Sequence, residues 1–179
     1  NRSWNLVGNP YPCYYRLNTL MDGFMTPVVI WRGNSYQAYS PVDDDVILRP
    51  CEAFFVQRPL DAENMTFSAE GRMHFNEALN ANATPGLRVA AAPVVDNRRV
   101  FNFNVEGQGS TDRARIVLNE EAKAGYDQFD AAKFFAEKSE GVEVFVTADT
   151  RYDICERPEG NGTAILGMRA AKAGEYTIS

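Results

Sequence analysis

Short apolar runs alternate with clusters of Gly, Pro, Asn and Asp along this chain of 179 residues. The runs recur about every 8–12 residues, which is the spacing of strands and turns in sandwiches and barrels. A parallel α/β sheet would require a helix between successive strands, and the sequence offers one helical segment, near residues 127–138. We therefore predict an all-β fold, made of antiparallel β-sandwich or jelly-roll-like modules with one short helix.

Local patterns support this prediction at several points. The pair Gly33 and Asn34 lies between two apolar runs, and a two-residue loop of this kind is typical of a β-hairpin. In the second half of the chain, Phe101, Phe103 and Val105 alternate with asparagines, as expected for a strand with one buried face.

The predicted helix near residues 127–138 depends on capping and spacing. Asp127 is suited to cap its N-terminus. Phe129, Ala132, Lys133 and Ala136 would share one helical face, because residues three and four apart are neighbours on a helix. Gly141 would end the segment.

The chain is predicted to contain two modules. Polar residues with Pro85 and Gly86 dominate the connecting segment that follows Asn76. We expect a first β module over residues 1–92, truncated at its N-terminus. A second β module, with the short helix, would cover residues 93–179 and be truncated at its C-terminus.

Composition and charge exclude some classes of function. Apolar residues make up 45% of the chain, enough for folded domains, and the formal net charge is −6. Because there is no basic stripe, we expect no nucleic-acid partner. No apolar run approaches the ~20 residues that a membrane-spanning helix needs, so we expect no membrane insertion within this segment.

The residue types that carry catalysis are sparse. His74 is the only histidine, and no Gly-x-Ser-x-Gly nucleophile motif occurs. The aspartates at positions 43–45 favour a solvated turn over a Ca²⁺ site, because successive strand residues point to opposite faces. Residues 107–109 (GQG) lack the third glycine and the helix of a phosphate-binding loop. We therefore predict no catalytic residue, no metal ligand and no cofactor.

Three cysteines, Cys13, Cys51 and Cys155, leave at least one thiol unpaired. The sequence favours three separate buried thiols that pack as small apolar groups. Pairing of Cys13 with Cys51 stays open, because each follows a proline near a predicted strand.

Aromatic residues around the predicted hairpin are the candidate ligand-binding residues. They are Trp31, Tyr36 and Tyr39. Exposed and coplanar rings would stack on sugars, whereas buried rings would be ordinary cross-strand packing, which is the more frequent arrangement.

Several motifs resemble one group of proteins. Residues 4–12 (WNLVGNPYP) look like a segment near the C-terminal ends of many Bacteroidetes cell-surface and secreted proteins. Residues 53–57 (AFFVQ) resemble the strand that follows about forty residues later in those proteins. Further similar segments, in the same order, are residues 113–120 (RARIVLNE), 126–127 (YD), 130–135 (DAAKFF) and 174–179 (GEYTIS).

The resemblance implies an extracellular, β-sandwich-like region, often attached to leucine-rich-repeat or adhesin-like modules and to type IX-type sorting segments. It brings no catalytic residues with it. The leading hypothesis is a non-catalytic structural or adhesive β-module of a larger bacterial cell-surface or secreted protein. Its expected partners are other domains of the same chain and a glycan or a host or extracellular protein. The alternatives are a carbohydrate-binding module and a glycoside hydrolase-associated domain, in which two carboxyl groups would have to flank a sugar.

Overall fold

The structure is a computed structural model that describes residues 2–21, 26–33, 35–43, 46–59, 64–74, 98–158 and 162–179. These residues are mainly β-strands joined by turns, with a short α-helix, α1 (Asn18–Met21), and a 3₁₀ turn (Ala69–Gly71). The strands are β1 (Arg2–Gly8), β2 (Tyr14–Arg16), β3 (Val28–Trp31), β4 (Tyr36–Tyr39), β5 (Ile47–Leu48), β6 (Ala53–Pro59), β7 (Arg72–Met73), β8 (Arg99–Gly107), β9 (Ser110–Leu118), β10 (Ala131–Ala132), β11 (Val142–Thr147), β12 (Arg151–Arg157), β13 (Ile165–Ala170) and β14 (Thr177–Ile178). The predicted all-β, sandwich-like fold class is confirmed.

Two compact units divide the chain. The first unit comprises Asn1–Val28 and Tyr39–Asp96, and the second unit comprises Val29–Ala38 and Asn97–Ser179. The predicted module boundary falls in residues 75–97, which lie outside the described residues. The assignment of residues 1–92 and 93–179 to separate modules therefore stays a prediction.

In the first unit, the WNLVGNPYP and AFFVQ segments contribute to two neighbouring strands. β1 and β6 pair antiparallel over their full lengths, with Leu6 opposite Phe55 and Val7 opposite Phe54. Phe54 is fully buried, while Leu6 is exposed on the other side of the pair. Since alternate residues of a strand face opposite sides, the pair has one core face and one outer face.

Asn9 explains why the WNLVGNPYP segment turns where it does. Its side chain is buried, and Nδ2 donates hydrogen bonds to Cys13 O (2.8 Å) and Arg49 O (3.0 Å). Its Oδ1 accepts a hydrogen bond from Tyr11 N at 3.1 Å. A buried asparagine with all three bonds satisfied fixes the chain as it leaves β1.

A second sheet of the first unit has the strand order β5-β2-β7. Tyr15, on β2, is fully buried and stacks on Tyr11, with ring centroids 5.8 Å apart. Phe67 meets the Tyr15 ring edge-on at 5.3 Å. Aromatic packing of this kind holds the short strands of the sheet in place.

The second unit is built on one larger sheet with the order β13-β11-β12-β9-β8-β14, and β10 pairs with β12. Most neighbours are antiparallel, but β12 pairs with β9 in parallel, with Ile154 opposite Arg115. The sheet is therefore mixed, which the prediction of purely antiparallel modules did not include. Its apolar core contains Val105, Ala114, Val142, Val144, Val146, Tyr152 and Cys155.

The predicted helix near residues 127–138 is wrong. Turns occupy the segment up to Asp130, and β10 follows in its place, with Ala131 opposite Ile154. Asp127 does cap locally, but its Oδ1 accepts a hydrogen bond from Phe129 N in a tight turn. Lys133 N then donates to Arg151 O at 2.9 Å. Pairing with β12 therefore outweighs helical spacing, as tertiary context commonly does.

The predicted turn at Gly33 is confirmed in its described part, and the structure shows a second turn, at residues 107–109, that the sequence analysis did not predict. Arg32 N donates to Ser35 O at 2.9 Å between the neighbouring strands β3 and β4, and Gly33 has φ +92°. Asn34 lies outside the described residues. The GQG segment joins β8 to β9, with φ 52° at Gln108 and 74° at Gly109. Positive φ at both central residues defines a two-residue hairpin turn, and this explains the glycine at position 109.

Candidate functional site

The three predicted ligand-binding aromatics are assigned to different units. Trp31 and Tyr36 belong to the second unit, whereas Tyr39 belongs to the first. The Trp31 side chain is 44% exposed, and Tyr36 is half-buried. Their ring centroids are 4.8 Å apart at an interplanar angle of 61°, and Tyr36 in turn meets Phe134 edge-on at 5.6 Å.

Trp31 and Tyr36 therefore do not form one flat platform. Tyr36 is used in packing between Trp31 and Phe134, which leaves the Trp31 ring as the surface that a ligand could reach. Sugar binding by these residues stays a prediction, now centred on a single exposed indole.

A different surface stands out on the second unit: the outer edge of β8, here defined as Arg99–Phe103. Asn104 exchanges two backbone hydrogen bonds with Ser179, at 2.9 Å and 3.0 Å. Backbone N–H and C=O groups alternate in direction along a strand, so those of Val100 and Asn102 point to the same side. In the described part of the chain, β14 is the strand on that side, and its pairing stops at Asn104.

Apolar side chains accompany this edge. Phe101 is 48% exposed, and Val100 and Ile178 are also among the exposed large apolar residues. Phe101 lies on the same face as the buried Val105, so it continues the core face outward beyond the core. Sequence alternation alone assigned Phe101 to the core, because it does not show where the covering layer ends.

A polar cleft of about 300 Å³ lies beside this edge on the second unit. The register places Asn104 opposite Arg113 and Glu106 opposite Thr111, and directly opposed side chains share a face. Its lining also includes Ser35, Gln37, Thr177 and Ser179. None of the described residues that line the cleft is aromatic.

A cluster of three charged side chains is buried in the second unit. Lys133 Nζ lies 2.7 Å from Asp112 Oδ2 and 3.1 Å from Asp153 Oδ1, and the three side chains are 0%, 1% and 3% exposed. Asp112 Oδ2 also accepts a hydrogen bond from Val144 N at 2.7 Å, and Asp153 Oδ2 accepts one from Ala38 N at 2.6 Å. We call these three residues the lysine–aspartate triad.

Burial shifts the pKa values of the triad. It raises the pKa of Asp153 to about 6 and also raises that of Asp112, although the Lys133 ammonium acts against both shifts. Burial by itself lowers the pKa of Lys133, but the two carboxylates more than offset it, so the net shift is upward. Two carboxyl groups compete for one ammonium in a dry environment.

Other buried carboxylates accept hydrogen bonds from backbone N–H groups. Glu143 Oε1 accepts a hydrogen bond from Ala136 N at 3.0 Å, and the same side chain pairs with Arg169. Asp130 Oδ1 accepts from Glu156 N at 2.9 Å and from Arg157 Nη1 at 3.0 Å. These carboxylates occupy acceptor positions that a neighbouring strand would otherwise supply.

Sequence reasoning missed the triad and these carboxylates. The signal that could have found them is a charged residue inside an apolar run, as at Glu143 between Val142 and Val144, or at Asp153 after Tyr152. The triad carboxyls are too deeply buried to flank a saccharide, so their closeness does not favour glycoside hydrolysis.

The weaker sequence candidates have ordinary surroundings. His74 is exposed and lines a cavity of the first unit with Cys13, Arg72 and Met73. Asp43 forms the predicted turn, since its Oδ2 accepts from Ser40 N at 2.8 Å; Asp44 and Asp45 lie outside the described residues. Among the described residues, no cluster of His, Cys, Asp and Glu is arranged to hold a metal ion.

All three cysteines are free thiols, so Cys13 and Cys51 do not pair. Cys155 is buried, as predicted, and burial raises its pKa to about 12. Cys51 is exposed and Cys13 is half-buried, which corrects the expectation that all three would be buried.

Comparison with protein-family models, with curated proteins and with solved structures finds no match for this chain. Over the residues that the structure describes, no helix has the length and apolar character to cross a membrane.

Proposed function

We propose that this chain is a non-catalytic structural or adhesive β-module of a larger bacterial cell-surface or secreted protein. The observation that carries the adhesive part is the outer edge of β8, where exposed Phe101 and Val100 accompany backbone groups beyond the end of the β14 pairing. Long apolar edges are normally blunted by Lys, Pro or bulges, because they recruit further strands. Arg99–Phe103 contains neither Lys nor Pro, and its one charged residue, Arg99, stands at its first position.

The partner would be an extended segment of another protein that adds a strand to this edge. Main-chain hydrogen bonds to Val100 and Asn102 would supply affinity. Every second side chain of the added strand would pack against Phe101, and these contacts would supply specificity. The resemblance of residues 4–12 and 53–57 to segments of Bacteroidetes cell-surface proteins is the support for the surface role.

Strand addition can be tested with a defined probe. A labelled peptide that copies residues 98–104 is self-complementary in antiparallel register, with Val100 opposite Asn102 and Phe101 opposite Phe101. Fluorescence anisotropy should show saturable binding, and Phe101→Lys should weaken it by about tenfold or more, because a lysine at an edge disfavours pairing.

Met168→Lys is the matched control, because Met168 is similarly exposed on β13, at the opposite end of the same sheet. Its binding should equal that of the unsubstituted protein. Absence of saturable binding, or equal loss in both variants, would remove the adhesive role of this edge and leave only a structural one.

The alternative is a carbohydrate-binding module, favoured by the exposed Trp31 ring. If the chain is a carbohydrate-binding module, a glycan array should identify a saccharide ligand. Trp31→Ala should then weaken the binding of that ligand by about tenfold or more, because an indole face is a strong stacking surface. Phe101→Ala, which removes an equally exposed ring elsewhere, should leave that affinity unchanged. An array without a saccharide ligand would reject the alternative.

A further inference from the structure

We propose that the lysine–aspartate triad forms an intramolecular amide bond between Lys133 Nζ and Asp112 Cγ, with Asp153 as the proton carrier. This inference concerns a covalent modification of the second unit and does not depend on the proposed function. The three groups come from separate parts of the sheet: β9, the segment after β10, and β12. A bond between them would join β9 covalently to the segment that follows β10.

The Lys133 amine and the Asp112 carboxyl are held close together. Nζ lies 2.7 Å from Asp112 Oδ2, which is bonded to the Cγ atom that the amine would attack, so the two reacting side chains are already held in contact. The amine and both carboxyls have side-chain exposures of 0–3%. This low exposure limits contact with bulk water, which would favour the separated ions by solvating them.

Asp112 is the better electrophile of the two aspartates. Its Oδ2 accepts the Val144 backbone N–H at 2.7 Å, and such a donor stabilises negative charge on the oxygen that stays as the amide carbonyl. Its Oδ1 is buried and is bound by neither Lys133 nor Val144 N, both of which contact Oδ2, so it is the oxygen that can leave. Both oxygens of Asp153 are bound, to Lys133 and to Ala38 N.

Asp153 is placed to move the protons. Its Oδ1 lies 3.1 Å from Nζ, within reach for general acid–base transfer. A pKa of about 6 lets this carboxyl both accept and release a proton near neutral pH. Burial raises the pKa of Asp112 and so favours the neutral acid, which is the form that an amine attacks. The two carboxylates raise the pKa of Lys133, so Asp153 has to remove a proton from the ammonium before the amine can attack.

The steps balance without an oxidant or cofactor. Asp153 takes one proton from the Lys133 ammonium and passes it to Asp112 Oδ1, which leaves a neutral amine and a neutral acid. Nζ then bonds to Cγ, and Asp153 carries a second proton from nitrogen to Oδ1. The Cγ–Oδ1 bond breaks, one water leaves, and Asp153 ends in its initial state.

Intact-mass spectrometry of the denatured full chain tests the bond. The mass should lie below that of the sequence by one water, about 18 Da. Lys133→Arg should restore the full sequence mass. Asp112→Asn should still form the bond but release ammonia, a loss of about 17 Da. Asp153→Asn should leave most molecules unbonded, and Lys138→Arg, at an exposed lysine, should behave like the unsubstituted protein.

Peptide mapping makes the result independent of whether each variant folds. A proteolytic digest of the unsubstituted chain should yield a branched peptide that contains Lys133 and Asp112. Cyclisation at the Asp22–Gly23 sequence would also remove one water, but it leaves no branched peptide. A full sequence mass in the folded protein, a water loss mapped to residues 22–23, or a branch at Asp153 would each overturn the proposal.

Discussion

Replacing Lys133 with Met is expected to lower the free energy of unfolding of the second unit by about 3–5 kcal/mol. The substitution keeps most of the side-chain volume but removes the nitrogen that lies 2.7 Å from Asp112 and 3.1 Å from Asp153, and with it both the ion pairs and the proposed amide bond. Two carboxyl groups would then be buried without a countercharge. Because the cost of an unpaired buried charge exceeds the net gain of the pair, the loss should be far larger than that of a surface ion pair.

Hydrogen–deuterium exchange measures this effect within the second unit. The amides of Val144 and Ala38 donate to the two carboxylates, so peptides that contain them should lose protection first. Lys138→Met removes an exposed lysine five positions away and should cost less than about 0.5 kcal/mol. Unchanged protection in Lys133→Met would show that the triad contributes nothing to stability.

Replacing the two aspartates in the Lys133→Met variant distinguishes two causes of its lost stability: the burial of unpaired carboxylates and the loss of side-chain packing. Adding Asp112→Asn and Asp153→Asn to Lys133→Met removes both uncompensated charges and should recover part of the loss, because amide groups cost less to bury than carboxylates. Asp153→Asn alone keeps the closer pair of Lys133 and Asp112 while preventing the proposed amide bond. Its stability therefore shows how much of the Lys133→Met effect comes from the cross-link.

The strands of this fold could be predicted from sequence because their signals are local. Alternation at Phe101, Phe103 and Val105, and the turn at Gly33, depend on neighbouring residues, and the structure places β8 and the β3–β4 turn there. The helix near residues 127–138 failed for the opposite reason. Its outcome was decided by pairing of Ala131 with Ile154, which is distant in sequence.

The triad could not have been predicted from sequence for the same physical reason. Lys133 lies 21 residues from Asp112 and 20 from Asp153, and the three come together because β12 pairs in parallel with β9 while β10 pairs with β12. Likewise, alternation identified Phe101 as a core-facing residue, but its exposure depends on where the pairing of β14 ends. Local periodicity determines the face of a residue, whereas strand order determines what covers it.

Between pH 8 and pH 5, the second unit is expected to gain about 2–4 kcal/mol of stability as the pH falls. Burial raises the pKa of Asp130 to about 6 and that of Glu156 to about 7, despite partly compensating bonds from backbone amides, Asn119 and nearby arginines. In the unfolded chain these groups titrate near 3.8 and 4.5. The folded state therefore binds more protons in this window, and protonation favours folding.

This change of stability with pH has the opposite sign to ordinary acid unfolding, in which a protein loses stability as the pH falls. The stabilisation is complete below the unfolded pKa values and is lost as the pH rises through about 6 and 7. Asp153 acts in the same direction, because burial raises its pKa too, and so does Asp112 in molecules that lack the proposed amide bond. Asp149 has a lowered pKa, so it titrates below the window and does not oppose the trend.

Hydrogen exchange or urea unfolding followed from pH 5 to pH 8 checks this expectation, with Glu156→Gln as the matched control. The glutamine can still accept the Asn119 Nδ2 hydrogen bond, which is 2.9 Å long in the structure, but it cannot titrate. Its gain on acidification should therefore be about half that of the unsubstituted protein. A second unit that becomes more stable from pH 5 to pH 8, or a Glu156→Gln variant with an unchanged slope, would show that these buried carboxyls stay ionised throughout.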